Sequence, residues 1–196
     1  MGVDAPVDAA VSNVLEVLTN HGARQQAFNL QYLRPLHVSW LNIMYAEATA
    51  RYVKEEFCDY RKFSSPVKVQ LEAGRSVTGV NYLDAQRFRG FFQNYFGALF
   101  DDFDVICLPT LPVVAPQINQ EEVQIGDRTV STQDAMTFTN QLANMLGCPA
   151  ISIPAGNDAQ GLPVGVTFLM PHGRDLELLQ FAARVEGLLR GAGITP

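Results

Sequence analysis

The chain has 196 residues, with 14 Lys and Arg against 20 Asp and Glu and a formal net charge of -6. That balance lacks the basic face an electrostatic nucleic-acid or anionic-membrane binder needs, and 47% hydrophobic residues exclude intrinsic disorder. Only 17% of residues are charged, below the usual quarter of a soluble domain, which predicts apolar surface that further structure covers.

Val7, Ala10, Val11, Val14, Leu15 and Leu18 repeat at helical spacing, with Asp4 as the cap, Pro6 in the first turn and Gly22 as the stop. A second helix is predicted over 36–57, with Leu36, Trp40, Met44, Ala48 and Tyr52 on one face and Lys54-Glu55-Glu56 as a solvated tail. Residues 58–82 read as irregular, broken at Ser64-Ser65-Pro66 and bent at Gly74 and Gly79. Asp84 is expected to cap a helix whose stripe is Phe88, Phe91, Phe92, Tyr95, Phe96 and Leu99. A core seam is favoured there over a ligand cleft, because the spacing is so regular.

Residues 104–108 read as a buried strand ended by Pro109. Val123-Gln124-Ile125 and Arg128-Thr129-Val130 flank Gly126-Asp127 as a hairpin. Ser131 with Asp134 forms a weak capping box for a helix over 132–146. Strands at 150–153 and 164–169 follow, separated by a turn-rich loop. Asp175 then caps a last helix carrying Leu178, Leu179, Ala182, Val185, Glu186 and Leu189. Strands mixed with helices make the fold class α/β.

Most catalytic patterns are missing. His21, His37 and His172 are scattered, without metal-ligand spacing. There is no G-x-S-x-G elbow, Walker A loop or G-x-G-x-x-G. Asp101, Asp102 and Asp104 read as a solvated turn, and Ser64-Ser65, without flanking glycines, reads as a turn too. Cys58, Cys107 and Cys148 form no C-x-x-C pair and suit a reducing, cytoplasmic compartment. The opening MGVDAPVDAA is no signal peptide, and no apolar run reaches the roughly 18 residues of a membrane span. One pattern stands out: Asp134, Thr137, Gln141 and Asn144 make a polar stripe without Lys, Arg or Glu. An uncharged hydrogen-bonding row suits a ligand cleft or a buried partner surface as well as it suits a solvent face.

Three stretches together resemble the amidase signature family: 104–112 with Ala115-Pro116, 144–156, and Gly161-Leu162-Pro163-Val164-Gly165 followed by Asp175, Leu178, Leu179, Ala182 and Glu186. Ala46-Glu47-Ala48 and Tyr82-Leu83-Asp84-Ala85 look familial as well. The resemblance implies the C-terminal part of the family's fold, a mixed β-sheet flanked by helices, forming one partial domain over 1–196. The family hydrolyses or transfers amide groups with a Ser nucleophile, a second Ser in a cis peptide and a Lys base, all in the N-terminal half. Lys54, Lys62 and Lys68 do not match that lysine, so no catalytic residue is assigned here.

What the resemblance implies is therefore a substrate-pocket portion, inactive without the catalytic half. Asp134, Thr137, Gln141 and Asn144 are its substrate-binding candidates. It further implies no cofactor and no metal, an amide small molecule as substrate only in the complete enzyme, and an N-terminal amidase half or partner subunit. No membrane and no direct nucleic-acid contact are expected. The alternatives are a non-catalytic interaction subunit, or part of the amidase-type chain of a tRNA-dependent amidotransferase.

Overall fold

A computed structural model describes residues 2–53 and 59–194. The predicted Lys54-Glu55-Glu56 tail, the helix end at Phe57, and Cys58 lie outside the described residues. The chain forms two compact units, Met1–Asn29 with Gly97–Pro196, and Leu30–Phe96.

The first unit is built on a three-stranded sheet. Strand β1 (Ile106–Pro109) and strand β4 (Ala150–Asn157) both pair antiparallel with β5 (Pro163–Leu169), giving the order β1-β5-β4. Strand β4 runs further than the sequence predicts. The extension past Ile153 carries a register shift between Pro154 and Asn157, so an irregular ladder absorbs residues that read as loop.

Helix α1 (Ala5–Asn20) and helix α7 (Asp175–Gly191) cover one face of this sheet. Asp4 caps α1 as predicted, its carboxylate accepting from the Ala5 N–H at 3.0 Å. Val7, Ala10 and Val14 of α1 meet Val164, Val166 and Phe168 of β5, Ile153 and Ala155 of β4, and Leu178, Ala182, Val185 and Leu189 of α7. On α7 the buried row is Leu178, Ala182, Val185 and Leu189, while Leu179 is 57% exposed. Asp175 is the first residue of that helix, and the cap position falls on Arg174, whose side chain makes no cap hydrogen bond.

A hairpin of β2 (Glu122–Ile125) and β3 (Arg128–Ser131) turns at Gly126-Asp127 as the sequence predicts. Val123 and Ile125 pack there with Val113 and Ala135 in a second small core. Ser131 caps the following helix, accepting from the Asp134 N–H at 3.0 Å. The continuous helix expected over 132–146 is instead two short ones, α5 (Thr132–Thr137) and α6 (Gln141–Leu146). Side chains cause the break. Asn140 Nδ2 donates to the Met136 carbonyl at 3.2 Å and so competes with the helical ladder, while the Thr139 hydroxyl ties the turn to the Thr110 carbonyl.

Among its described residues the second unit holds three α-helices, α2 (Leu33–Tyr52), α3 (Ser65–Arg75) and α4 (Gly79–Gly97). Of the predicted row on α2, Leu36 is buried, Trp40, Met44 and Ala48 are half-buried and Tyr52 is exposed, while Ser39 and Ile43 complete the buried face. Helix α3 replaces the irregular stretch. Pro66 lies in its first turn, where the missing N–H costs nothing, so Ser64-Ser65-Pro66 starts a helix rather than breaking one. Gly74 is no bend: a Cβ there would run into the Tyr45 carbonyl and the Thr49 side chain of α2. Helix α4 begins five residues before Asp84, with the Thr78 hydroxyl accepting from the Asn81 N–H at 3.2 Å, while Asp84 pairs with Arg87 at 2.9 Å. Phe92 and Phe96 are buried, but Phe91 is 48% exposed and meets Tyr32 edge-on with ring centres 5.3 Å apart. The aromatic stripe is thus core along one edge and surface along the other.

Candidate functional site

Strand alternation decides which side chains leave the core. On β5, Val164, Val166 and Phe168 point at α1 and α7, so Gly165 and Thr167 take the opposite face. On β4, Ile153 and Ala155 join the same core, and Ser152 and Pro154 lie opposite, exposed. That opposite face carries a row of hydroxyls. Ser152 Oγ lies 2.7 Å from Thr167 Oγ1, which lies 2.8 Å from Thr110 Oγ1.

Thr110 is held at the end of the row by three things. Its N–H donates to the Gly165 carbonyl at 3.0 Å, continuing the sheet past Pro109. Its own carbonyl accepts from the Thr139 hydroxyl. Gly165 supplies the room, since a Cβ there would lie 2.8 Å from Thr110 Oγ1 and 3.2 Å from Thr110 Cβ.

A groove of about 390 Å³ opens against this row. Thr110, Ser152, Pro154 and Gly165 line it from the sheet, and Leu111, Val113 and Met136 supply apolar surface. None of its lining residues is charged. A mostly apolar cleft with a few placed hydroxyls is the usual make-up of a small-molecule site.

The predicted stripe is distributed differently. Asp134 and Asn144 are exposed, Thr137 is half-buried, and Gln141 is fully buried, because the break at 138–140 shifts the phase between α5 and α6. The Thr137 hydroxyl turns back to the Gln133 carbonyl at 2.9 Å. None of the four lines the groove, which takes Met136 from that stretch instead. Sequence reasoning passed over Ser152, Thr167 and Thr110. Their signal is a hydroxyl at the outward position of an otherwise aliphatic strand, in Ile151-Ser152-Ile153 and Val166-Thr167-Phe168.

The remaining polar candidates serve structure. His21 Nδ1 lies 2.8 Å from the Val17 carbonyl at the end of α1, and His172 Nδ1 lies 2.7 Å from the Gly147 carbonyl. His37 stacks on Trp40, ring centres 5.9 Å apart. Burial pushes the Cys107 thiol up to about 12 and the Cys148 thiol up to about 11. Asp101, Asp102 and Asp104 are exposed around a short 3₁₀ turn, as the solvated reading predicts. Among the described residues, no three His, Cys, Asp or Glu side chains cluster as a metal site, and no helix is long and apolar enough to cross a membrane.

Sheet, helices and neutral cleft together make an α/β arrangement with an uncharged groove against the sheet. The family model for Amidase matches residues 1–179, and the chain belongs to that family. It is 31% identical over 181 residues to a fatty acid amide hydrolase of Arabidopsis thaliana, covering 90% of this chain and 29% of that protein. It is 30% identical over 209 aligned residues to the A-subunit of a glutamyl-tRNA(Gln) amidotransferase from Syntrophus aciditrophicus, covering 94% of this chain and 42% of that protein. A crystal structure of an amidase superposes with a TM-score of 0.83 at 23% identity, covering 98% of this chain and 43% of that one. The α/β class and the amidase-signature fold implied by the sequence motifs therefore stand. The chain spans between about three tenths and two fifths of the length of these relatives.

Proposed function

We propose that this chain supplies the substrate-pocket part of an amidase-signature amide hydrolase and turns over substrate only with the family's Ser-cisSer-Lys half. One observation carries the reading: a neutral groove is present, yet neither its serine nor the thiols of Cys107 and Cys148 elsewhere in the fold are primed for attack. The Ser152 hydroxyl bonds to a threonine hydroxyl rather than to a base, and the Cys107 and Cys148 thiols are held protonated by burial. A nucleophile needs an adjacent base or a lowered pKa, and both thiols are shifted the other way.

The sheet supports the same reading. Among the described residues, β1 and β4 each pair with β5 alone, so both edges offer unpaired backbone to further strands. The free thiols of Cys107 and Cys148 favour a cytoplasmic setting. The match to the Syntrophus aciditrophicus protein, covering 94% of this chain, favours part of the corresponding amidotransferase chain as the second reading.

Ammonia release from simple aliphatic and aryl amides by the purified chain tests the proposal. The expected result is none above the uncatalysed background. Sustained turnover, lost when Ser152 or a single cysteine is replaced, would overturn it.

A further inference from the structure

We propose that the Ser152–Thr167–Thr110 hydroxyl row makes the groove selective for uncharged polar heads on an apolar body, and lets it discriminate an uncharged ligand from the matching carboxylic acid. This rests on reading the chain as a substrate-pocket portion.

Proton counting gives the selectivity. Three hydroxyls carry three protons, and the two links of 2.7 and 2.8 Å use two of them. The third stands at one end of the row, or on Thr167 when both neighbours donate to it. If Thr110 donates to Thr167 and Thr167 to Ser152, then Ser152 donates outward and Thr110 accepts. With the row reversed, the roles exchange. Either hydroxyl can be the donor in both links, so both directions are open. Both ends, Ser152 and Thr110, line the groove, whereas Thr167 only joins them. When both ends donate to Thr167 instead, Ser152 and Thr110 both accept, so the groove shows at least one acceptor and never two donors.

A neutral amide head, with an acceptor oxygen and two N–H donors, finds a partner at both ends in each of these arrangements. A carboxylate brings only acceptors and a full charge. One oxygen would face an accepting hydroxyl, and no lining residue supplies a compensating cation. An alkylammonium brings only donors and meets no anion. Leu111, Val113 and Met136 take the apolar body in either case, so discrimination falls on the head. A site that hydrogen-bonds a head group rejects a mispaired analogue more strongly than an apolar wall rejects a wrong tail. For a chain that serves amide hydrolysis, the acid released would leave a groove that held the uncharged substrate.

The test is resonance-resolved NMR titration of the purified 196-residue chain with hexanamide, hexanoate and hexylammonium at pH 7. Hexanamide is expected to move the backbone amides of Thr110, Ser152 and Gly165 and to bind at least tenfold tighter than either ion. Thr167→Val keeps the side-chain shape and cuts the row, so the preference over hexanoate is expected to fall below about threefold. Ser152→Ala, at an exposed position, is expected to weaken hexanamide about fivefold. Equal binding of hexanamide and hexanoate, or a Thr167→Val chain with its preference intact, would overturn the proposal. Shifts confined to Asp134, Thr137, Gln141 and Asn144 would overturn it while leaving the pocket reading standing. Absence of any localised shift would overturn both.

Discussion

At Gly74 the side chain has to be a hydrogen. Helices α2 and α3 approach so closely that Thr49 Oγ1 donates to the Leu71 carbonyl at 2.6 Å, and a methyl group at Gly74 would strike α2 itself. Overpacking against backbone costs about 1–3 kcal/mol or more. Gly74→Ala is therefore expected to lower the urea midpoint of the Leu30–Phe96 unit, by a shift that corresponds to at least about that free energy, where the same change at an open helix glycine stabilises. An unchanged midpoint would mean the helices part freely at Gly74. In the sequence this glycine reads as a bend, because its partner on α2 lies more than twenty residues away. Pro66 misleads for a related reason, since the residue that breaks a helix from one side starts it from the other.

The buried thiols make a second prediction at this scale. Burial alone raises Cys107 from 9.0 to about 12, so at pH 8 its thiolate fraction is on the order of one in ten thousand. Peptide-resolved alkylation at pH 8 is expected to leave Cys107 unmodified in the folded chain and to label it in urea. The sign of the linkage follows from the raised value. The contribution is complete below the unfolded pKa near 9 and is lost as pH rises towards about 12. Stability measured across that window is expected to fall, and a flat profile would contradict the burial of Cys107.

Among the elements, α7 separates core from surface on one helix. Leu189 is 2% exposed and packs against the sheet, while Leu179 is 57% exposed. Leu189→Ala is expected to cost about 2–5 kcal/mol by denaturation, and Leu179→Ala to stay within about 0.5 kcal/mol. Equal effects would mean the helix presents a different face. Legibility varies among elements along the same lines. The caps at Asp4 and Ser131 and the Gly126-Asp127 turn were readable because donor, acceptor and chain reversal lie within a few residues. The break between α5 and α6 was not, because the Thr139 hydroxyl answers Thr110, 29 residues earlier. That break also explains why the polar stripe does not form one surface, and why the groove takes its hydroxyls from strands instead. Thr139→Val removes a part-buried hydrogen bond and is expected to cost about 1 kcal/mol, measured by urea titration. No loss would mean the bond does not hold the break.

For the molecule as a whole, the motifs at 104–112, 144–156 and 161–165 were enough to reach the family, since they fall on the three strands and the turns that join them. The hydroxyl row was beyond their reach, because it exists only once β1, β5 and β4 lie side by side. The central claim is a division of labour: walls and recognition in this chain, attack elsewhere. A chimera tests it most directly, with this whole chain, helix α7 included, replacing the corresponding C-terminal portion of an active amidase-signature relative. The folded chimera is expected to hydrolyse amides that neither piece hydrolyses alone, with a preference that changes on Thr167→Val and an activity that vanishes when the relative's nucleophilic serine is replaced. A folded chimera whose turnover survives loss of that serine, or whose preference ignores Thr167, would contradict the division.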